Sequence, residues 1–177
     1  MARRGDTYAS FADLARCETL GRDYEILSRP GSTSVAIIAP HGGRIEAGTT
    51  TLADAVAGNR HSFYTFRGIK PSGNAALHIT SHRFDEPTGL GIVGKAEVAV
   101  ALHGHHDRVD DTIFIGGKNE TLKQKIRAAL TGSGFKAEMA ARSGLQAVHP
   151  LNLCNRCRSG RGIQIEITRA LREKLYD

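Results

Sequence analysis

Apolar residues along this chain fall into short runs with two different periods. Val35-Ala36-Ile37-Ile38 and the stretch 96–102 are continuous and partly β-branched, the pattern of strands buried on both faces. Residues 24–28, 61–66, 75–80, 112–115 and 135–140 read as further extended segments, the last as an edge strand. Residues 162–169 alternate clearly, so Ile163, Ile165 and Ile167 share one face and Gln164 and Glu166 the other. Helical spacing marks residues 7–16, with Tyr8, Phe11, Leu14 and Ala15 on one side, then 49–57, 88–94, 119–130 and the closing stretch 168–176. Gly58-Asn59 and Thr131-Gly132 supply helix stops. Residues 142–150 read as a loop and 1–6 as a loose end. Strands interleaved with helices predict one α/β domain over 1–177, a mixed sheet flanked by helices.

Composition narrows the function classes. A chain of 177 residues can bury roughly 70% of its unfolded surface in one core and needs no disulfide staple. No apolar run approaches the roughly 18 residues of a membrane span, so no membrane partner is expected. The opening Met-Ala-Arg-Arg-Gly-Asp lacks the apolar stretch of a secretory signal, which predicts cytoplasmic synthesis. The net charge of +6, from 24 basic against 18 acidic residues, favours encounter with polyanions. With no tryptophan and no aromatic-basic stripe, nucleic acid is the less favoured polyanion. Three cysteines are an odd number, against a disulfide framework. Cys154-Asn155-Arg156-Cys157 has no second pair and reads as incidental, with half a zinc ribbon or a redox pair as the alternatives. A monomer is assumed.

Candidate chemistry begins where the first buried run ends, in Ala39-Pro40-His41-Gly42-Gly43-Arg44-Ile45-Glu46. His41 and Glu46 are five residues apart and would face apart on a helix, so they converge only from a loop. Gly42 and Gly43 loosen that loop, and Pro40 is expected to stop the strand ladder. An imidazole and a carboxylate so placed suit zinc, while the plainer alternative is a glycine turn carrying a solvated His and Glu. The second buried run repeats the pattern, ending in Leu102-His103-Gly104-His105-His106-Asp107. Sites in open α/β sheets lie beyond the carboxyl ends of strands, so two strands ending in His-Gly predict two imidazoles on one rim. His103, the best fixed of its group, is the preferred ligand. His105 or His106, with Asp107, is the alternative as ligand, outer support or substrate contact. His78 and His82 are either substrate contacts or hydrogen-bonded structural residues.

Five stretches, taken in order, carry a resemblance. Ala-Pro-His-Gly-Gly-Arg-Ile-Glu-Ala-Gly-Thr at 39–49, Phe-Arg-Gly-Ile-Lys-Pro-Ser-Gly-Asn at 66–74, Leu-His-Ile-Thr-Ser-His-Arg-Phe-Asp-Glu-Pro at 77–87, Ala-Leu-His-Gly at 101–104, and the segment 154–168 from Cys-Asn-Arg to Gly-Arg-Gly-Ile-Gln-Ile-Glu-Ile-Thr are similar to the phage poly-γ-glutamate hydrolase family. Its members occur in bacteriophages and bacterial genomes, often under the label phage-related replication protein. The resemblance implies a compact, zinc-carboxypeptidase-like architecture, one zinc ion per chain, and hydrolysis of γ-glutamyl amides in a polyanionic capsule polymer, with release by host lysis. It places His41, Glu46 and His103 at the zinc-ligand positions and Glu166 at that of the general base. This chain departs from the family in carrying both His105 and His106 where one His is usual. Other readings are an amidase acting on another peptide or acylated amino acid, and a non-catalytic basic domain that binds nucleic acid. Arg156, Arg161 and Arg169 bracket Glu166 and are candidates to grip substrate carboxylates or a developing oxyanion, with Arg161 favoured by its flanking glycines and Asn155 as an added donor. Their plainer alternative is a basic surface loop.

Overall fold

In a computed structural model, which describes residues 5–176, the chain forms a three-layer α/β/α sandwich around one seven-stranded mixed sheet. The strands are β1 (Tyr24–Arg29), β2 (Val35–Gly43), β3 (Ser62–Gly68), β4 (Val98–His105), β5 (Thr112–Gly117), β6 (Lys136–Met139) and β7 (Ile163–Thr168), in the order β1-β3-β2-β4-β7-β5-β6. The helices are α1 (Phe11–Cys17), α2 (Thr49–Ala57), α3 (Pro87–Lys95), α4 (Glu120–Gly132) and α5 (Arg169–Tyr176). Among the described residues, no helix is long and apolar enough to cross a membrane.

Strands β3, β2, β4 and β7 are parallel, while β1 and β5 run antiparallel to their neighbours β3 and β7. The buried runs at β2 and β4 therefore lie at the centre, covered on both sides. Ala36, Ile38, Ala99 and Ala101 pack with Leu14 of α1 and Val93 of α3. Ile37, Ala39 and Val100 pack on the other face with Ala53 of α2 and Leu171 of α5. The connection β2–α2–β3 leads one way along the sheet, and the chain then returns over the other face through α3 to β4. Right-handed crossovers require this change of face when the direction reverses. The reversal opens a crevice at the carboxyl ends of β2 and β4.

Several expected boundaries move for local reasons. The first helix starts at Phe11, because Ser10 caps it by accepting from the Asp13 amide. The third starts at Pro87, where the Glu86 carboxylate accepts from the Thr88 and Gly89 amides. The extended segment expected at 75–80 is instead a 3₁₀ turn, Asn74–Leu77, followed by irregular chain. Asn74 folds the segment by bonding both the amide and the carbonyl of Lys70. Pro40 ends only one of two ladders: pairing with β4 stops at Ile38, but pairing with β3 continues to Gly43 across a bulge. Of the loose end expected at 1–6, residues 1–4 lie outside the described residues, whereas Asp6 is firmly anchored, as shown below. Cys154 and Cys157 are free thiols packed in the core.

Candidate metal centre

The bulge in β2 decides where His41 points. Ile37 and Ala39 face the α2 side, so simple alternation would send His41 there too. Between Ala39↔Thr65 and Gly42↔Arg67, β2 spends one residue more than β3. The extra residue turns His41 to the opposite face, where its ring lies 6.3 Å from that of Phe84 and 4.8 Å from that of His103. The backbone groups freed by the bulge are satisfied in a chain. The Gly43 amide donates to Thr50 Oγ1, Thr50 and Thr65 share a hydroxyl bond of 2.9 Å, and Thr65 donates to the Ala39 carbonyl. Gly42 is required here, because a Cβ would stand 2.2 Å from both threonine oxygens.

On β4 no such device is needed. Ala99, Ala101 and His103 follow by plain alternation on the face where Ala99 and Ala101 pack. His103 is level with Glu166 across the β4–β7 ladder, which puts the imidazole and the carboxylate side by side.

Three groups meet at the crevice. His41 Nδ1 lies 3.1 Å from His103 Nδ1 and 3.4 Å from Glu46 Oε1, and His103 Nδ1 lies 3.6 Å from Glu46 Oε2. All three residues are buried. His41 Nε2 donates to the Ile79 carbonyl at 2.8 Å, so the other ring nitrogen, Nδ1, is the one turned toward His103 and Glu46. Two ring nitrogens that close need a proton or a cation between them. Ligands held at about 2.0–2.2 Å around a tetrahedral zinc ion stand roughly 3.3–3.6 Å from one another, so the donor set and its spacing fit such an ion. Burial by itself would push the Glu46 carboxyl up, but the His41 charge and the hydrogen bonds from His103 and His41 outweigh it and hold the group well below the usual carboxylate range. Glu46 is further fixed by accepting the Gly104 amide at 2.8 Å.

His78 also adjoins this group. Its ring lies 4.0 Å from that of His41, and one donor atom each of His41, Glu46 and His78 fall within 4.8 Å of one another, so this set too could hold a metal. The Nδ1 of His78 is engaged by Asp6 at 2.7 Å, and the His41, Glu46 and His103 atoms lie closer together.

The crevice opens into a cleft of about 470 Å³ lined by His41, His78, His82, His103, Gln164 and Glu166 on the sheet side. Ser143, Gly144, Ala147, Val148, His149 and Asn152 form the facing wall. Glu166 is buried, and its Oε1 accepts from Gln164 Nε2 at 3.0 Å; Gln164 in turn accepts from Asn152 Nδ2 at 3.0 Å. His82 and His149 face each other across the mouth with ring centroids 4.9 Å apart.

The remaining residues singled out in the sequence are not brought into this cleft. Arg161 precedes β7 and so sits at the amino rim of the parallel strands, exposed, opposite the rim that carries His41 and His103. Arg156 reaches the Phe84 carbonyl. Asn155 is buried and structural: its Nδ2 donates to the Ala147 and His149 carbonyls and its Oδ1 accepts the Gly162 amide, tying the cleft wall to β7. It also holds Ala147 at a positive φ of 51°. Arg169 pairs with Glu173 and, with His106, Arg44, Arg108 and Arg172, lines a separate basic cleft behind Glu46. His105 is buried with its ring 5.5 Å from Phe114. Sequence reasoning missed His149 and Asn152, which lie in an irregular loop with no periodicity to mark them. It also missed Asp6.

Comparison with known proteins agrees with this fold. A family model described as poly-γ-glutamate hydrolase matches residues 8–177. Three Bacillus subtilis proteins are similar over 97% of this chain: YmaC at 38% identity, the SPβ prophage-derived YoqZ at 35%, and YndL at 34%. The chain spans 73%, 62% and 67% of their respective lengths. Among solved structures, a bacteriophage poly-γ-glutamate hydrolase superposes with a TM-score of 0.91 at 39% identity, covering 94% of this chain and 81% of its own. The zinc-free form of YndL superposes equally well at 34% identity, covering 97% and 84%. By the extent of these matches, the chain belongs to the poly-γ-glutamate hydrolase family.

Proposed function

We propose that the protein is a zinc-dependent hydrolase that cuts γ-glutamyl amide bonds of poly-γ-glutamate. The observation that carries this reading is the meeting of His41, Glu46 and His103 within 3.1–3.6 Å at the sheet's switch point, with Glu166 in the same cleft. Family membership and the likeness to a bacteriophage enzyme of that name support the substrate.

His41, Glu46 and His103 would hold one zinc ion per chain, two imidazoles and one carboxylate being a donor set that leaves a position open. When bound, zinc polarises a carbonyl and acidifies a water molecule. Glu166 takes the proton from the attacking water as it adds to the amide carbon, then returns it to the departing amine nitrogen. The Gln164 side-chain amide donates to that carboxylate and orients it. His82, His149 and Asn152 offer donors along the cleft for the carboxylates of neighbouring glutamyl units. The net charge of +6 assists capture of a polyanion.

The test is depolymerisation of purified poly-γ-glutamate, followed by size-exclusion chromatography. Chelation should abolish the activity and added zinc restore it. Glu166→Gln should keep the metal while lowering turnover by about 10²–10⁴-fold. Undiminished cleavage by metal-stripped protein, or a fully active Glu166→Gln, would overturn the reading, and tight DNA binding without hydrolysis would replace it with a nucleic-acid role.

A further inference from the structure

The N-terminal segment enters the site from a direction no motif announces. Asp6, with its side chain only 4% exposed, accepts from His78 Nδ1 at 2.7 Å through one oxygen and from the Thr80 amide at 2.7 Å through the other, and it also meets Arg83. Burial would push its carboxyl up, but the hydrogen bonds from Thr80, His78 and Arg83 prevail and hold it below the usual range. Between the two residues it grips lies Ile79, whose carbonyl accepts from His41 Nε2. One carboxylate thus pins both ends of the three-residue segment that orients His41, and it fixes the His78 ring that lies 4.0 Å from the His41 ring.

We infer that Asp6 is a positioning residue of the metal centre, acting through His78–Thr80 to hold His41 Nδ1 toward Glu46 and His103. The inference rests on the proposed zinc site. The physical reason is that a ring hydrogen-bonded through its far nitrogen is oriented only as well as the acceptor is held, and that acceptor is a loop carbonyl outside any sheet ladder. Regular strand anchors His103; for His41 the anchor is a side chain from the N-terminal segment, acting through a loop more than 70 residues further along the chain than itself.

Zinc affinity measured on chelator-stripped protein by competition with a chromogenic chelator, together with the visible spectrum of the cobalt-loaded form, tests this without recourse to activity. Asp6→Ala should lower zinc affinity by about 10–100-fold, the range for lost outer supports, and shift the cobalt bands. Arg83→Ala, which removes only the exposed partner of Asp6, should stay within about twofold of wild type by the same standard. If Asp6→Ala does not fold, the isosteric Asp6→Asn decides, since it turns one acceptor facing His78 and Thr80 into a donor and should weaken zinc at least about threefold. Zinc affinity within twofold of wild type in the folded variant, with unshifted cobalt bands, overturns the inference. Wild-type protein that takes up no zinc overturns instead the metal site itself, so the two failures are distinct.

Discussion

The ends of β2 and β4 deliver the same chemistry by different means. Each brings an imidazole and then a glycine to the crevice, yet His103 arrives by regular alternation and is braced by the ladder with β7. His41 arrives through a one-residue bulge, a threonine hydroxyl relay and a loop carbonyl held from the N-terminus. The difference teaches that a ligand set can combine one rigid member with one whose placement is assembled from distant pieces. Substitutions remote from the metal should therefore act through His41 and leave His103 alone.

The largest effect tests whether both ends are needed. His41→Ala and His103→Ala should each weaken zinc by more than the roughly 100-fold seen for outer supports, measured as metal content after dialysis. A fully metallated His103→Ala would break the comparison and hand its place to His78. Next comes Thr65→Val, which nearly preserves shape but cuts the relay and strands the Ala39 carbonyl and the Thr50 hydroxyl. It should cost about 1–3 kcal/mol in chemical denaturation, and its zinc affinity should fall with it. If stability falls while zinc binding does not, the relay supports the strand but not the ligand. The smallest expected effect is that of Pro40→Ala. Pairing with β4 has already ended at Ile38, so restoring an amide should change stability by no more than about 1 kcal/mol and leave zinc binding unaltered.

This contrast also explains what was legible in the sequence. The β4 end could be read from alternation alone, as could the shared face of Gln164 and Glu166, because a period of two survives without any tertiary information. That His41 and His103 reach one rim followed from the His-Gly repeat and from the rule for strand ends. How His41 reaches it did not, since a bulge depends on the register with β3, and register is a property of two strands rather than one. The position of Arg161 was hidden for a related reason: nearness in sequence to a central strand says nothing about which rim a residue occupies, and Arg161 lies upstream of β7. Asp6 carried no signal because its partners, His78 and Thr80, lie in a segment that pattern reading made extended and that the Asn74 bonds fold otherwise.

The wall opposite the sheet, residues 143–152, belongs to a long excursion between β6 and β7, folded on itself where Asn155 gathers two of its carbonyls. It is tied to the body where the Gly117 amide donates to the Gln146 carbonyl, the Leu153 amide to the Ser81 carbonyl and Asn152 to Gln164. Rewriting its residues 143–149 would reshape the mouth of the cleft, whereas Asn152, which reaches Gln164 and through it Glu166, ties the end of the wall to the floor. Diversification among relatives toward polymers of different stereochemistry or spacing would then be read first in residues 143–149, ahead of the Asn152–Gln164 bond that couples the wall to the chemistry beneath it.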